Sequence, residues 1–125
     1  MAWEDKGETS LQFTDDGKSI EVHGNKNKQV RLGNGLGDKA VWIKHKMKGE
    51  NVYRYKSKLG KGWLRVKKNA KGDYVVDANG GKGGQFVLFH HHETQNGFRL
   101  ESATLEKVEL QHSANDQDVI AVKSN

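Results

Sequence analysis

Three consecutive histidines, His90, His91 and His92, are the residues of this chain whose type and spacing come nearest to metal or proton chemistry. On an extended strand His90 and His92 point to one side and His91 to the other. Two imidazoles at i and i+2 could begin a zinc or copper site, with Glu93 as a third ligand if the backbone folded back. The competing readings are a protonation-sensitive surface and a plain strand end. We assign no metal and no cofactor. Glycines 80, 81, 83 and 84 around Lys82 suggest a backbone cradle for phosphate, but the Gly-x-x-x-x-Gly-Lys-Ser/Thr pattern is missing and no helix follows to supply a dipole. That segment, like Gly33-Asn34-Gly35-Leu36-Gly37, reads as a connection. The paired carboxylates Asp15-Asp16 and Asp116-x-Asp118 sit in turn-like sequence, where Asp serves local hydrogen bonding. With neither a nucleophile elbow nor a His-Glu-x-x-His element, the chain does not read as an enzyme.

The elements that must position these residues are short strands. Alternating runs punctuated by Gly, Asn and Asp recur, and helical periodicity is absent. Aromatic-led runs ending at Trp3, Trp42 and Phe86 divide the chain into arcs of 39 residues (3 to 42), 44 (42 to 86) and a closing remainder of 42. Each arc continues with a second strand (Leu11-Gln12-Phe13, Tyr53-Arg54-Tyr55, Phe98-Arg99-Leu100) and a third (Ile20-Glu21-Val22, Leu64-Arg65-Val66, Val108-Glu109-Leu110). A fourth follows (Val30-Arg31-Leu32, Tyr74-Val75-Val76, Ile120-Ala121-Val122), with Asn34, Asn79 or Asn125 after it. Three arcs of four strands predict an all-β chain of β-trefoil type: one domain, residues 1–125, with adjacent termini and the strand at Trp3 completing the last arc, which would also remove an exposed edge. A Greek-key sandwich is the competing architecture, but it does not call for three equal arcs. Trp3, Trp42 and Phe86 are expected in the core. Tyr53, Tyr55, Trp63 and Phe98 could form a stacking platform beside the lysines, against the simpler expectation that at least half of them point inward.

Composition limits the function classes. Of 125 residues 34% are hydrophobic, and none is cysteine, which removes disulfides, thiolate metal sites and cysteine nucleophiles and suggests a reducing, cytoplasmic setting. No apolar stretch is long enough for a signal peptide or a membrane span. The net charge of +5 is concentrated: from Lys39 to Lys71 twelve lysines and arginines face one acid, Glu50. Such a stretch favours anionic partners, and Lys56, Lys58, Lys61, Arg65, Lys67, Lys68 and Lys71 are the candidate partner-binding residues. The plain alternative is a solvated polar face.

Gly62-Trp63-Leu64-Arg65-Val66, then Tyr74-Val75-Val76-Asp77-Ala78-Asn79-Gly80, Phe86-Val87-Leu88-Phe89 and Gly97-Phe98-Arg99-Leu100-Glu101-Ser102 resemble the fascin and hisactophilin group of β-trefoils. The resemblance covers about two of the three units and is structural in kind. It implies a non-catalytic, cytoskeletal protein that binds actin or another acidic protein surface, with Lys56 to Lys71 as the contact. The alternative is a carbohydrate-binding β-trefoil lectin that takes glycans, although Gln85-Phe86-Val87 and Ala40-Val41-Trp42 depart from the Gln-x-Trp of ricin-type repeats. A heparin-binding, growth-factor-like ligand is a third reading, and nucleic acid is not an expected partner.

Overall fold

The computed structural model describes residues 2–13, 17–94, 97–115 and 117–124. Asp15, Asp16, Asp116 and Asn125, which figured among the carboxylate and arc-ending residues above, lie outside that set. Within the described residues twelve strands follow in order: β1 (Trp3–Thr9), β2 (Gln12–Phe13), β3 (Lys18–His23), β4 (Gln29–Gly33), β5 (Trp42–Met47), β6 (Tyr53–Ser57), β7 (Trp63–Lys68), β8 (Tyr74–Gly80), β9 (Phe89–Thr94), β10 (Gly97–Ser102), β11 (Val108–His112) and β12 (Val119–Lys123). The only helical segments among the described residues are single 3-10 turns at Asn25–Asn27, Asp38–Ala40 and Gln85–Val87.

Alternation explains why these runs are strands and which side they bury. The six apolar residues flanking the centre of the third strand in each arc, Ile20 and Val22, Leu64 and Val66, Val108 and Leu110, are all buried. Leu11, Tyr55 and Leu100, eight or nine residues before Ile20, Leu64 and Val108, lie in the same core with Trp42 and Phe89. The Trp42 indole N–H donates to the Ile20 carbonyl at 2.9 Å, so the ring joins the first two arcs without an orphaned donor. The last strands of the arcs, β4, β8 and β12, touch one another. Leu32 donates its N–H to Gln117 O and Ala78 donates to Lys28 O, both at 2.9 Å. Three four-stranded arcs meeting in this way form a β-trefoil.

The arcs are not cut quite where the aromatic runs suggest. Phe86 belongs to the 3-10 turn at Gln85–Val87 and is half-buried; the core ring of the third arc is Phe89, three residues later. The second arc shows the same grammar, with the turn Asp38–Ala40 leading to Trp42, so Val87 and Phe89 correspond to Ala40 and Trp42. Trp3 is not a core residue either. It is half-buried, and its ring lies 4.0 Å from the buried Arg54 guanidinium, which also lies 4.9 Å from the Trp63 ring and donates to Lys82 O at 3.0 Å. That stacking helps hold β1 against the β5–β6 pair: β1 runs antiparallel to β5, Trp3 opposite Met47 and Thr9 opposite Trp42. A register shift between Asp5 and Glu8 bends β1, with Gly7 at φ 86 donating its N–H to Asp5 Oδ1 at 2.7 Å. The first and last strands therefore share one nine-stranded sheet but stand at opposite ends of its path, β12 pairing with β11. Among the described residues no ladder joins β1 to β12, so β1 does not complete the last arc by strand pairing.

Candidate ligand-binding site

The seven cationic residues singled out above do not converge. Lys58, just after β6, is engaged at the surface by two acids, its Nζ 3.1 Å from Glu8 Oε2 and 3.6 Å from Asp38 Oδ1. The Glu8 hydrogen bond and the Asp38 charge hold its ammonium above the ordinary lysine range. Arg65 forms a bidentate pair across to β8, Nε to Asp77 Oδ1 at 3.0 Å and Nη2 to Asp77 Oδ2 at 2.8 Å. Lys56 pairs in register with Trp63, and Lys61 sits in the β6–β7 connection at φ 61. Lys67, Lys68 and Lys71 cluster at the far end of β7 and its turn, with Lys68 Nζ 5.7 Å from the centre of the Tyr74 ring. Five residues of strand, about 17 Å, separate Trp63 from Lys68. A block contiguous in sequence becomes two small groups, and its one arginine is already satisfied.

The histidines lie within β9 itself. His91 faces inward, its Nδ1 2.8 Å from the buried Tyr55 hydroxyl and its Nε2 2.8 Å from Glu93 Oε1, stacked on Phe98 with ring centres 5.3 Å apart. His90 donates Nδ1–H to Asn51 O at 2.9 Å on the opposite side. Burial is the main force lowering the His91 pKa, with the Glu93 hydrogen bond opposing it; burial also raises that of the Tyr55 hydroxyl and lowers that of His45. Among the described residues, no group of three or more His, Cys, Asp or Glu side chains is placed to hold a metal ion. Tyr55 and Trp63 are buried, while Tyr53 and Phe98 pack partly buried against the core, so these four rings form no open stacking platform.

A site that the sequence reading passed over stands on the first arc. Ile20 and Val22 face the core, so Glu21 between them points to the other side of β3. There the segment from Gly33 to Lys39 folds over it and leaves its side chain only 3% exposed. Gly33 makes this possible: a Cβ on it would stand 2.1 Å from the Glu21 carboxyl carbon. The carboxylate accepts the Gly35 N–H at Oε2 (3.2 Å), while Arg31 Nε lies 3.6 Å and Lys39 Nζ 3.9 Å from Oε1. Around it opens a hollow of about 440 Å³, within the range of small-molecule sites. Lys18, Arg31 and Lys39 bring cationic groups to its wall, Asn34 and Gln117 bring amides, and Leu36, 70% exposed, supplies an apolar patch. The signal for it was present in two details: an acid at the centre of a strand whose neighbours are core, and a leucine set among turn glycines.

The corresponding centres of the other arcs are occupied differently. Arg65 stands where Glu21 does and is closed by Asp77; Glu109 stands there in the third arc and accepts Arg99 Nε at 2.9 Å. Only the first of the three pairs leaves its cation beyond hydrogen-bond distance.

No family model and no curated protein matches this chain. Several solved structures share its fold, and two of them match nearly the whole of this chain. One is the BEL β-trefoil in an apo crystal form, 18% identical, with a TM-score of 0.73 over 98% of this chain and 87% of that one. The other is the Polyporus squamosus lectin bound to the human-type influenza-binding epitope Neu5Acα2-6Galβ1-4GlcNAc, 10% identical, with a TM-score of 0.75 over 99% of this chain. This chain spans 46% of that lectin's length.

Proposed function

We propose that the chain is a non-catalytic glycan-binding β-trefoil whose ligand occupies the hollow over Glu21. The observation that carries this is the chemistry of that hollow. A buried carboxylate accepts hydroxyl protons, two amides both donate and accept, and an exposed leucine offers an apolar surface to the C–H face of a sugar ring. A polyhydroxylated ligand matches such a wall better than an apolar one does. The shared fold of a lectin seen with a bound trisaccharide supports the same reading. The actin-binding reading, the first expectation from the sequence, draws no support from these likenesses, and the cations on which it rested are dispersed or paired.

A glycan array followed by calorimetric titration of the strongest ligand tests the proposal. Leu36→Ala, a change at an exposed position, weakens binding about fivefold, from loss of ~1 kcal/mol of apolar contact, and leaves the melting temperature in place. Glu21→Gln weakens it about tenfold or more, the worth of a hydrogen bond to a charged acceptor. An array without signal, or wild-type affinity in both variants, removes the reading.

A further inference from the structure

Resting on that reading, we propose that the hollow selects anionic saccharides, those bearing a carboxylate or sulfate group, with Arg31 and Lys39 as the residues that recognise the charge. Three cations and one acid line the site, and the acid is already engaged by the Gly35 N–H. Arg31 and Lys39 share the single Glu21 oxygen from 3.6 and 3.9 Å, too far for either to form a hydrogen bond to it. Their side chains are 46% and 43% exposed, so they converge on the carboxylate without being covered. The other two arcs show the closed form of the same arrangement. Arg65 is held at 2.8 and 3.0 Å by both oxygens of Asp77, and Arg99 at 2.9 Å by Glu109. Arg31, part-exposed and beyond hydrogen-bond distance of Glu21, stands on the wall of a depression, where like charges focus their field. Its planar fork matches the paired oxygens of a carboxylate or sulfate. A neutral sugar seated there would strip water from Arg31 and Lys39 and return no counter-charge, a net cost that an acidic substituent removes. The Glu21 carboxylate, deeper in the hollow, is left to accept from ring hydroxyls.

The test uses matched oligosaccharides that differ in one group: N-acetyllactosamine, its sialylated form and its sulfated form, titrated against the wild-type chain, Arg31→Gln, Arg31→Lys and Lys39→Gln. An acidic form binds the wild type about tenfold or more tightly than the neutral parent. That preference shrinks as salt rises from ~50 to ~300 mM. Arg31→Gln brings the acidic-to-neutral ratio toward one, Lys39→Gln lowers it, and Arg31→Lys keeps part of it because the charge remains while the fork is lost. The carboxylated and sulfated arms show which acid is favoured. Equal wild-type affinity for neutral and acidic forms overturns the selectivity and leaves glycan binding standing. A preference that persists in Arg31→Gln and Lys39→Gln chains of unchanged melting temperature also overturns it, by placing the anion elsewhere. Failure to bind any form overturns both proposals together.

Discussion

His91 shows how one side chain is fixed by what its neighbours can offer. Glu93 can only accept, so His91 carries its proton on Nε2, and the unprotonated Nδ1 then takes the hydroxyl proton of Tyr55. Adding a second proton would set an N–H against the Tyr55 hydroxyl and place a charge among Tyr53, Tyr55 and Phe98, with Lys44 and His92 also nearby. The folded pKa is accordingly depressed below 6.5, as is that of the partly buried His45. Because the unfolded chain then binds more protons than the folded one, this contribution to stability is complete above 6.5 and declines as pH falls from 6.5 toward the folded values. Melting temperature measured from pH 7.5 to 5 should drop over that window, and His91→Gln should flatten part of the slope. A melting temperature independent of pH there, or one rising toward acid, would contradict the burial of these rings. The strand period made the opposite facing of His91 and its neighbours legible in sequence. Tyr55 and Glu93 as its partners were not, since 36 residues separate Tyr55 from His91.

At the scale of the element, the β3–β4 hairpin owes its shape to one missing methyl group. Gly33→Ala would set a Cβ 2.1 to 2.3 Å from the atoms of the Glu21 carboxylate, which the covering loop holds in place. The variant should lose about 1–3 kcal/mol and its ligand binding together. Gly81→Ala, with nothing within 4 Å of the added carbon, should melt like the wild type. Equal melting temperatures for the two would mean that the loop yields and the hollow is not built as described. The third strands of the arcs were legible because Ile20, Leu64 and Val108 repeat a period-two apolar pattern that burial demands. The start of the third arc was misread at Phe86 because a 3-10 turn precedes β9, and a turn of three residues leaves no mark on the alternation. The hollow itself depends on how the segment after Gly33 closes over β3, a tertiary event with only local turn residues to announce it.

Across the whole molecule, threefold repetition builds the core while the surfaces of the arcs have diverged. The buried positions around Leu64 and Val108 repeat those around Ile20, whereas the central outward residue changes from acid to base to acid, at Glu21, Arg65 and Glu109. Ion pairs are closed at the latter two, and of the three only the one at Glu21 stays open, so the chain should bind one glycan through this kind of site rather than three. The clustered charge of the middle third was plain in sequence, but its dispersal was not, because contiguity along a strand reads as proximity until the strand is laid out at about 3.3 Å per residue. The most direct measurement is a titration of the isotope-labelled chain with the strongest array ligand, following every backbone amide by NMR. The account predicts saturable shifts confined to residues 31–39, with Lys18, Glu21 and Gln117, at a stoichiometry of one. Shifts centred on Lys67, Lys68 and Lys71, or spread equally over three arcs, would contradict it.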